Sequence, residues 1–329
     1  MVRAYRPRIV PAEEHGRDAH ATLLEASACD FTRFLIIPGM AARLIDGAAL
    51  AALARLGVQE RVAQLAGVGR AVQLTAILVG STPAAEVYAE NQARTSRAVG
   101  IDYQLIKLTA VATMDEVRAV IENLNHDPSV TGIMLHLPLP KQLDATVLQH
   151  AIDPVKDVEG VSPANIGYVV YGHTLIAPCT ALAVIELIKS TGVNLRGLEA
   201  VVVGASEIAG KPISLLLTEQ MATVTLCHIE TKNLIEHTRR AEVLVVAVGK
   251  AGLIGADHVK EGAIVIDVGI NRITQPDGSK KTVGDVQFEA VSEKAAYLTP
   301  VPGGVGPMTV AMLLKNTLRS AELLQEKGN

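Results

Sequence analysis

Short apolar runs rich in Val, Ile and Leu alternate with segments of helical period along most of this 329-residue chain. Residues 74–80 (LTAILVG) are an unbroken apolar run that predicts a strand buried on both faces, and 83–99 behind it carry a helical pattern. A second short strand is predicted over 104–108, an amphipathic helix over 114–125, and a third strand over 132–137 (GIMLHL), closed by Pro138 and Pro140. Pro178 and Thr180 then open a helix over 181–191 that stops at Gly192. Beyond it, 200–204 (AVVVG) predicts a strand running into a glycine turn, 210–219 a helix, and 223–227, 243–248 and 263–268 three further strands spaced for helical crossovers. A last helix is expected over 310–318, with Thr309 as its N-cap. Alternation of this kind specifies an α/β fold with parallel sheets covered on both faces. The length favours two lobes facing a cleft, with the break near 177–180. We expect a polar extension over 1–37, a first lobe over 38–177 plus 307–329, and a second over 178–306, with the helix at 181–191 bridging the two.

Composition narrows the function classes. Apolar residues make up 49% and charged residues 19% of the chain, with no Trp and three Phe, so an aliphatic core is affordable and disorder is not expected. The net charge of −4 comes without a basic stripe, and stacking aromatics are scarce, which argues against nucleic-acid binding. No apolar stretch is long enough for a membrane span. Cys29, Cys179 and Cys227 are widely spaced, which fits a reducing, cytoplasmic setting and neither a disulfide framework nor a zinc site; no metal is expected. Residues 1–30 mix Arg3, Arg6, Arg8 and Arg17 with Glu13, Glu14, Asp18, Glu25 and Asp30, a pattern unlike a signal or transit peptide.

Two loops carry most of the chemistry. In TPVPGGVGPMTVAML (299–313), Gly303, Gly304 and Gly306 let a flat ligand approach the main chain, while Pro302 and Pro307 stiffen the path. In VVVGASEIAGKP (201–212), a strand, a glycine turn at Gly204-Ala205-Ser206 and a helix start suit a pyrophosphate, although the spacing is not GxGxxG. AVGK (247–250), with Val248 and Gly249, lies at the next strand end, where ligands of open α/β sheets sit. The second strand of this lobe leads to His228, Ile229 and Glu230 with no Arg, and Ala205 adds no charge; these residue types favour NAD over NADP. The competing reading makes Glu230 a solvated surface residue.

Taken in order, VGSTPAAEVYAENQ (79–92), GIMLHLPLP (132–140), DPVKDVEGVSPANIG (153–167), APCTALA (177–183), VVVGASEIAGKP, GAIVIDVGINR (262–272), VGDV (283–286) and TPVPGGVGPMTVAML resemble the methylenetetrahydrofolate dehydrogenase/cyclohydrolase family over residues 45–324. The resemblance implies a folate-binding lobe facing a Rossmann-type nucleotide lobe, usually in a homodimer. It implies oxidation of 5,10-methylenetetrahydrofolate with NAD(P), followed in most members by hydrolysis of the methenyl product to 10-formyltetrahydrofolate. It assigns catalysis to Tyr88, Gln92, His136 and Glu159, folate contacts to Leu135, Leu137, Pro302, Gly303, Gly304 and Val305, and nucleotide contacts to Gly204, Ala205, Ser206, His228, Ile229, Glu230, Val248, Gly249 and Ile270.

The departures from the family pattern lie around the substrate. Gln92 stands where the family has Lys, His136 where it has Gln, Glu159 where it has Asp, and Ala85 where a Ser is common; PCTP-x-G becomes Pro178-Cys179-Thr180-Ala181-Leu182-Ala183. Several of these are similar to the family's monofunctional NAD-dependent dehydrogenases. Hydride leaves a carbon flanked by two nitrogens, a step that needs alignment and no proton transfer. Attack of water on the methenyl cation does need proton management, which a Lys of lowered pKa supplies and the amide of Gln92 does not. The expectation is a dehydrogenase, NAD-preferring, with weak or absent cyclohydrolase activity. Three alternatives stay open: a bifunctional enzyme using His136 as base, a folate-binding protein without turnover, and a dehydrogenase for another one-carbon carrier. At single residues, His136 is otherwise a neutral side chain filling an amide's place, Glu159 a helix cap or surface carboxylate, and Tyr88 a core residue.

Overall fold

The computed structural model describes residues 41–80 and 82–328. The expectations for residues 1–37, Cys29 among them, lie outside the described residues. The first elements are β1 (Arg43–Leu44) and α1 (Gly47–Gly67), the latter N-capped by Asp46, whose carboxylate accepts from Ala49 N. Next come β2 (Gln73–Val79), α2 (Pro83–Ala98), β3 (Asp102–Leu108), α3 (Met114–His126) and β4 (Gly132–Leu135). The three strands form a parallel sheet in the order β3-β2-β4, and β2, in the centre, is buried almost throughout, as its unbroken apolar run requires. Thr82 caps α2 with Pro83 in its first turn, and a Thr113–Glu116 capping box starts α3, which turns Val117, Ile121 and Leu124 onto the sheet. The third strand is shorter than the 132–137 run: pairing ends at Leu135, His136 N still donates to Ile77 O at 2.9 Å, and Pro138 has no N–H to continue.

Two short helices, α4 (Ala145–His150) and α5 (Pro163–Tyr171), lead to α6 (Cys179–Lys189). The chain then builds β5 (Glu199–Val203), α7 (Gly210–Glu219), β6 (Thr223–Cys227), α8 (Leu234–Thr238), β7 (Val243–Val246) and β8 (Ile264–Asp267). A hairpin of β9 (Asn271–Thr274) and β10 (Lys280–Val283), a short α9 (Phe288–Ser292) and β11 (Tyr297–Leu298) precede the long α10 (Val305–Gly328). The larger sheet is parallel, with the order β1-β11-β8-β7-β5-β6. Its strands alternate between two cores. Ala200, Val202, Val243 and Val245 pack with α6 and α10, and Val201, Val203, Leu244 and Val246 pack on the opposite face. The first of these cores is continuous through α1, α6 and α10 to Leu74 and Ala76 of the smaller sheet.

Three differences from the sequence pattern have physical causes. α1 is absent from the pattern because its apolar residues are spread round the helix, and its burial comes from packing against α10. β1, although it precedes every element of the smaller sheet, joins the larger one beside β11, and Ile45 N continues that pairing by donating to Leu298 O at 2.9 Å. The last helix starts at Val305 and not behind Thr309. Pro307 sits in the first turn, where a missing N–H costs nothing, and the Thr309 hydroxyl donates to Val305 O at 3.1 Å instead of capping.

Glycine is required where helix starts meet strand-end turns. Gly204 has φ +111°, and a Cβ on Gly210 would collide with the Gly204 carbonyl. Alanine is ordinarily the better helix residue by about 1 kcal/mol. At this contact the sign reverses: Gly210→Ala is expected to lose roughly 1–3 kcal/mol of unfolding free energy in a denaturant titration, and a variant as stable as the parent would contradict the packing described.

Candidate active site

Tyr88 and Gln92 lie one helical turn apart on the same face of α2. Tyr88 is 52% exposed, so it is not a core tyrosine, whereas Gln92 is buried. The Gln92 amide is bonded at both ends: Nε2 donates to Met134 Sδ at 3.0 Å, and Oε1 accepts from the Tyr103 hydroxyl at 3.3 Å. The same hydroxyl lies 3.3 Å from Nε2 of His136, which follows β4 and is buried. The rings of Tyr88 and His136 meet edge to face, 5.8 Å apart at 85°. Burial lowers the His136 pKa, which keeps the imidazole neutral at neutral pH, and pushes the Tyr103 phenol up to about 12.

Glu159 completes the cluster. One carboxylate oxygen accepts from Leu135 N at 3.4 Å, and burial, followed by the charge of Asp157, raises its pKa from 4.5 to about 7. Glu159 caps no helix: Asp157 takes that structural work, accepting from Gly160 N, Ser162 N and Asn165 Nδ2, and Ser162 caps α5. The loop is held from behind by Asn316 of α10, whose Nδ2 donates to Val158 O and Ala177 O, both at 2.9 Å. Two lysines on adjoining segments have partners elsewhere. Lys156 Nζ is bound to Leu124 O and Asp127 O, and Lys107 pairs with Glu86.

The expected folate contacts divide. Leu137 is exposed at the strand end, but the Leu135 side chain is sealed in the core between sheet and helices, so its part in the site is its backbone N–H. β4 has ended before Leu137, so these two leucines, two apart in sequence, do not share a face. Pro302, Gly303, Gly304 and Val305 do come together with Gly269 and Ile270 around one cavity. Gly303 has φ +110°, Gly304 N donates to Pro300 O, and Gly47 at the start of α1 has no room for a Cβ against the Gly304 carbonyl.

In the nucleotide half, Gly204, Ala205 and Ser206 form the turn between β5 and α7, and Ser206 Oγ accepts from Gly210 N at 3.4 Å. His228, Ile229 and Glu230 follow β6. His228 Nδ1 accepts from Glu230 N, Ile229 is 92% exposed, and the Glu230 side chain faces solvent. The neighbouring arginines are engaged, Arg239 Nε with Asp257 O and Arg240 Nη2 with Thr225 Oγ1. Val248 and Gly249 are fixed by a residue that had no role in the sequence pattern, the Asp of VGDV: Asp285 accepts from both of their N–H groups, at 2.7 and 2.9 Å, and from Asn271 Nδ2. Asp267, raised to about 6 by burial, accepts from Gly269, Asp285 and Val286 N. Tyr103 also went unread; its signal was a Tyr at an inward position of a strand, where a buried hydroxyl must find partners. Among the described residues, no group of His, Cys, Asp and Glu is arranged to hold a metal, and Cys179 and Cys227 are free thiols.

The tetrahydrofolate dehydrogenase/cyclohydrolase catalytic-domain model matches residues 45–159, and the NAD(P)-binding-domain model of the same family matches residues 178–325. The chain belongs to the tetrahydrofolate dehydrogenase/cyclohydrolase family. A relative named bifunctional protein FolD 3, from Roseobacter denitrificans, is 51% identical over 79% of this chain and 90% of its own. The crystal structure of the bifunctional methylenetetrahydrofolate dehydrogenase/cyclohydrolase from Campylobacter jejuni is 43% identical, covers 86% of this chain and 99% of its own, and superposes with a TM-score of 0.82. The Trypanosoma brucei methylenetetrahydrofolate dehydrogenase-cyclohydrolase, solved with NADP and an inhibitor, is 36% identical over 86% of this chain and 98% of its own, with a TM-score of 0.80. Both confirm the two-domain α/β architecture with a Rossmann-type nucleotide half. Among the described residues, no helix of this family member is long and apolar enough to cross a membrane.

The raised Glu159 pKa has a defined effect on stability. The folded state holds this proton more tightly than the unfolded chain, so the group favours folding below pH 4.5 and that contribution fades as pH rises to about 7. Relative to the parent, Glu159→Gln is expected to gain in Tm from pH 5 to pH 7 and to level off above. A Tm difference constant over that range would contradict the enclosed carboxyl.

Proposed function

We propose that this protein oxidises 5,10-methylenetetrahydrofolate to 5,10-methenyltetrahydrofolate with NAD(P), preferring NAD, and hydrolyses the methenyl product weakly or not at all. The observation that carries the reading is the buried, neutral, doubly hydrogen-bonded amide of Gln92 where the family has an ammonium. Loss of hydride leaves a cation on the folate. A site without an ammonium does not repel that charge, and a Glu159 carboxylate formed near neutrality attracts it. The nucleotide domain, when it holds NAD(P), supplies the hydride acceptor. The Gly204-Ala205-Ser206 turn would take the pyrophosphate, and Val248, Gly249 and Ile270 lie at the neighbouring strand ends. Tyr88 would lie along the pterin and Glu159 would accept from its N–H donors. The preference for NAD rests on Glu230 at the ribose position, on Ala205, and on the engagement of Arg239 and Arg240 elsewhere.

In this reading the folate lobe spans 38–177 plus 307–329 and the nucleotide lobe 178–306, apart from Arg43–Leu44, which is seated in the larger sheet. The protein works as a cytoplasmic homodimer. One observation favours a bifunctional enzyme instead: His136 is neutral, and only its Nε2 is tied to the protein, so Nδ1 is available as a base.

The deciding assay follows nicotinamide reduction from methylenetetrahydrofolate with NAD and NADP, and methenyl decay separately. Fast reduction with NAD and methenyl decay near the buffer rate support the proposal. Decay well above the buffer rate ends the proposal in favour of the bifunctional enzyme, and no reduction with either nucleotide leaves a binding protein or another carrier. Gln92→Lys is expected to raise methenyl hydrolysis about a hundredfold, the low end of what a positioned acid–base group contributes.

A further inference from the structure

Tyr103 has no role in the family pattern by which the site was read, yet its hydroxyl is where three elements of the site meet. Its ring is buried at an inward position of β3, and the hydroxyl reaches Gln92 on α2 and His136 after β4, each at 3.3 Å. A structural core tyrosine needs one acceptor, and a backbone carbonyl suffices. Here both partners are side chains, and both stand at positions where the chain departs from its family.

The bonding directions follow from donor counting. The Gln92 amide gives its N–H to Met134 Sδ, so Oε1 is left to accept the single Tyr103 proton. The phenol oxygen then has only lone pairs for His136, which must present Nε2–H. The phenol keeps its proton across the neutral range, which makes the arrangement insensitive to pH there. His136 is therefore held in ring plane and in tautomer, with Nδ1 unprotonated, and it backs the exposed ring of Tyr88 at 85°.

We propose that Tyr103 is a positioning residue for the oxidation: its hydroxyl fixes His136, and the fixed imidazole sets the plane of the Tyr88 ring on which the pterin rests. The proposal rests on the dehydrogenase reading above. Hydride transfer depends steeply on alignment, so a loosened platform lowers kcat more than it weakens binding.

The test is Tyr103→Phe made in the parent and in a His136→Gln background, with kcat and KM for methylenetetrahydrofolate measured for both, and a thermal melt to verify folding. In the parent, kcat is expected to fall about tenfold with KM within about twofold. In the His136→Gln background the same change is expected to alter kcat by less than about twofold, because the residue through which Tyr103 acts is gone. Equal losses in both backgrounds, or no loss in the parent, overturn the proposal. Nitrogen NMR of the histidine-labelled parent is an independent readout that needs neither turnover nor a folded variant. A single Nε2–H tautomer for His136 from pH 7 to 8 is expected, and an Nδ1–H or mixed tautomer overturns the proposal. If the parent reduces neither nucleotide, the dehydrogenase reading falls and the oxidation role with it, while the NMR result still decides whether Tyr103 fixes His136.

Discussion

Strand-end loops leave backbone N–H groups inside the protein, and the site exists because buried carboxylates collect them. Asp157 takes the N–H groups of Gly160 and Ser162, Asp267 those of Gly269, Asp285 and Val286, and Asp285 those of Val248 and Gly249. A buried N–H without a partner costs on the order of 1–3 kcal/mol, so each carboxylate fixes a loop that would otherwise have no reason to hold its shape. Asn316 extends the same logic from the far end of the chain by binding two loop carbonyls. The residues expected to touch ligands are thus placed by neighbours that need not touch one themselves.

On this scaffold the folate end of the site is almost free of fixed charge. Gln92 is an amide, His136 is held neutral by burial, and Tyr103 keeps its proton; Glu159, titrating near 7, is the group that changes charge. An interior of this kind suits a reaction whose product is more positive than its substrate. It offers less to a reaction in which water must be deprotonated. In the proposed reading, the difference between the two chemistries turns on whether one side chain of α2 ends in an amine or an amide.

Much of this was legible in the sequence. The apolar runs located the strands of both sheets except the two-residue β1 and β11, because parallel strands are buried on two faces, and glycine marked the turns at Gly204 and Gly303 because of their positive φ. Ordered motifs placed Tyr88, Gln92, His136 and Glu159, and the structure gathers them. The pattern did not reveal α1, whose apolar residues form no stripe, or the β9–β10 hairpin, which is largely solvent-facing. The opposite settings of Leu135, buried, and Leu137, exposed, were not legible because the end of a strand decides which face a side chain takes. The roles of Asp285 and Tyr103 were not legible because their partners lie 14 to 37 and 11 to 33 residues away, beyond the reach of local spacing.

The short first strand has a mechanical meaning. The passage from β1 into α1 and the passage from β11 into α10 run side by side, joined by the strand pairing and by Ile45 N to Leu298 O, with Gly47 and Gly304 in contact just beyond. Because the two passages are paired and Gly47 packs on the Gly304 carbonyl, the glycine-rich loop that borders the cavity is tied to the start of α1, and neither passage can be displaced without the other.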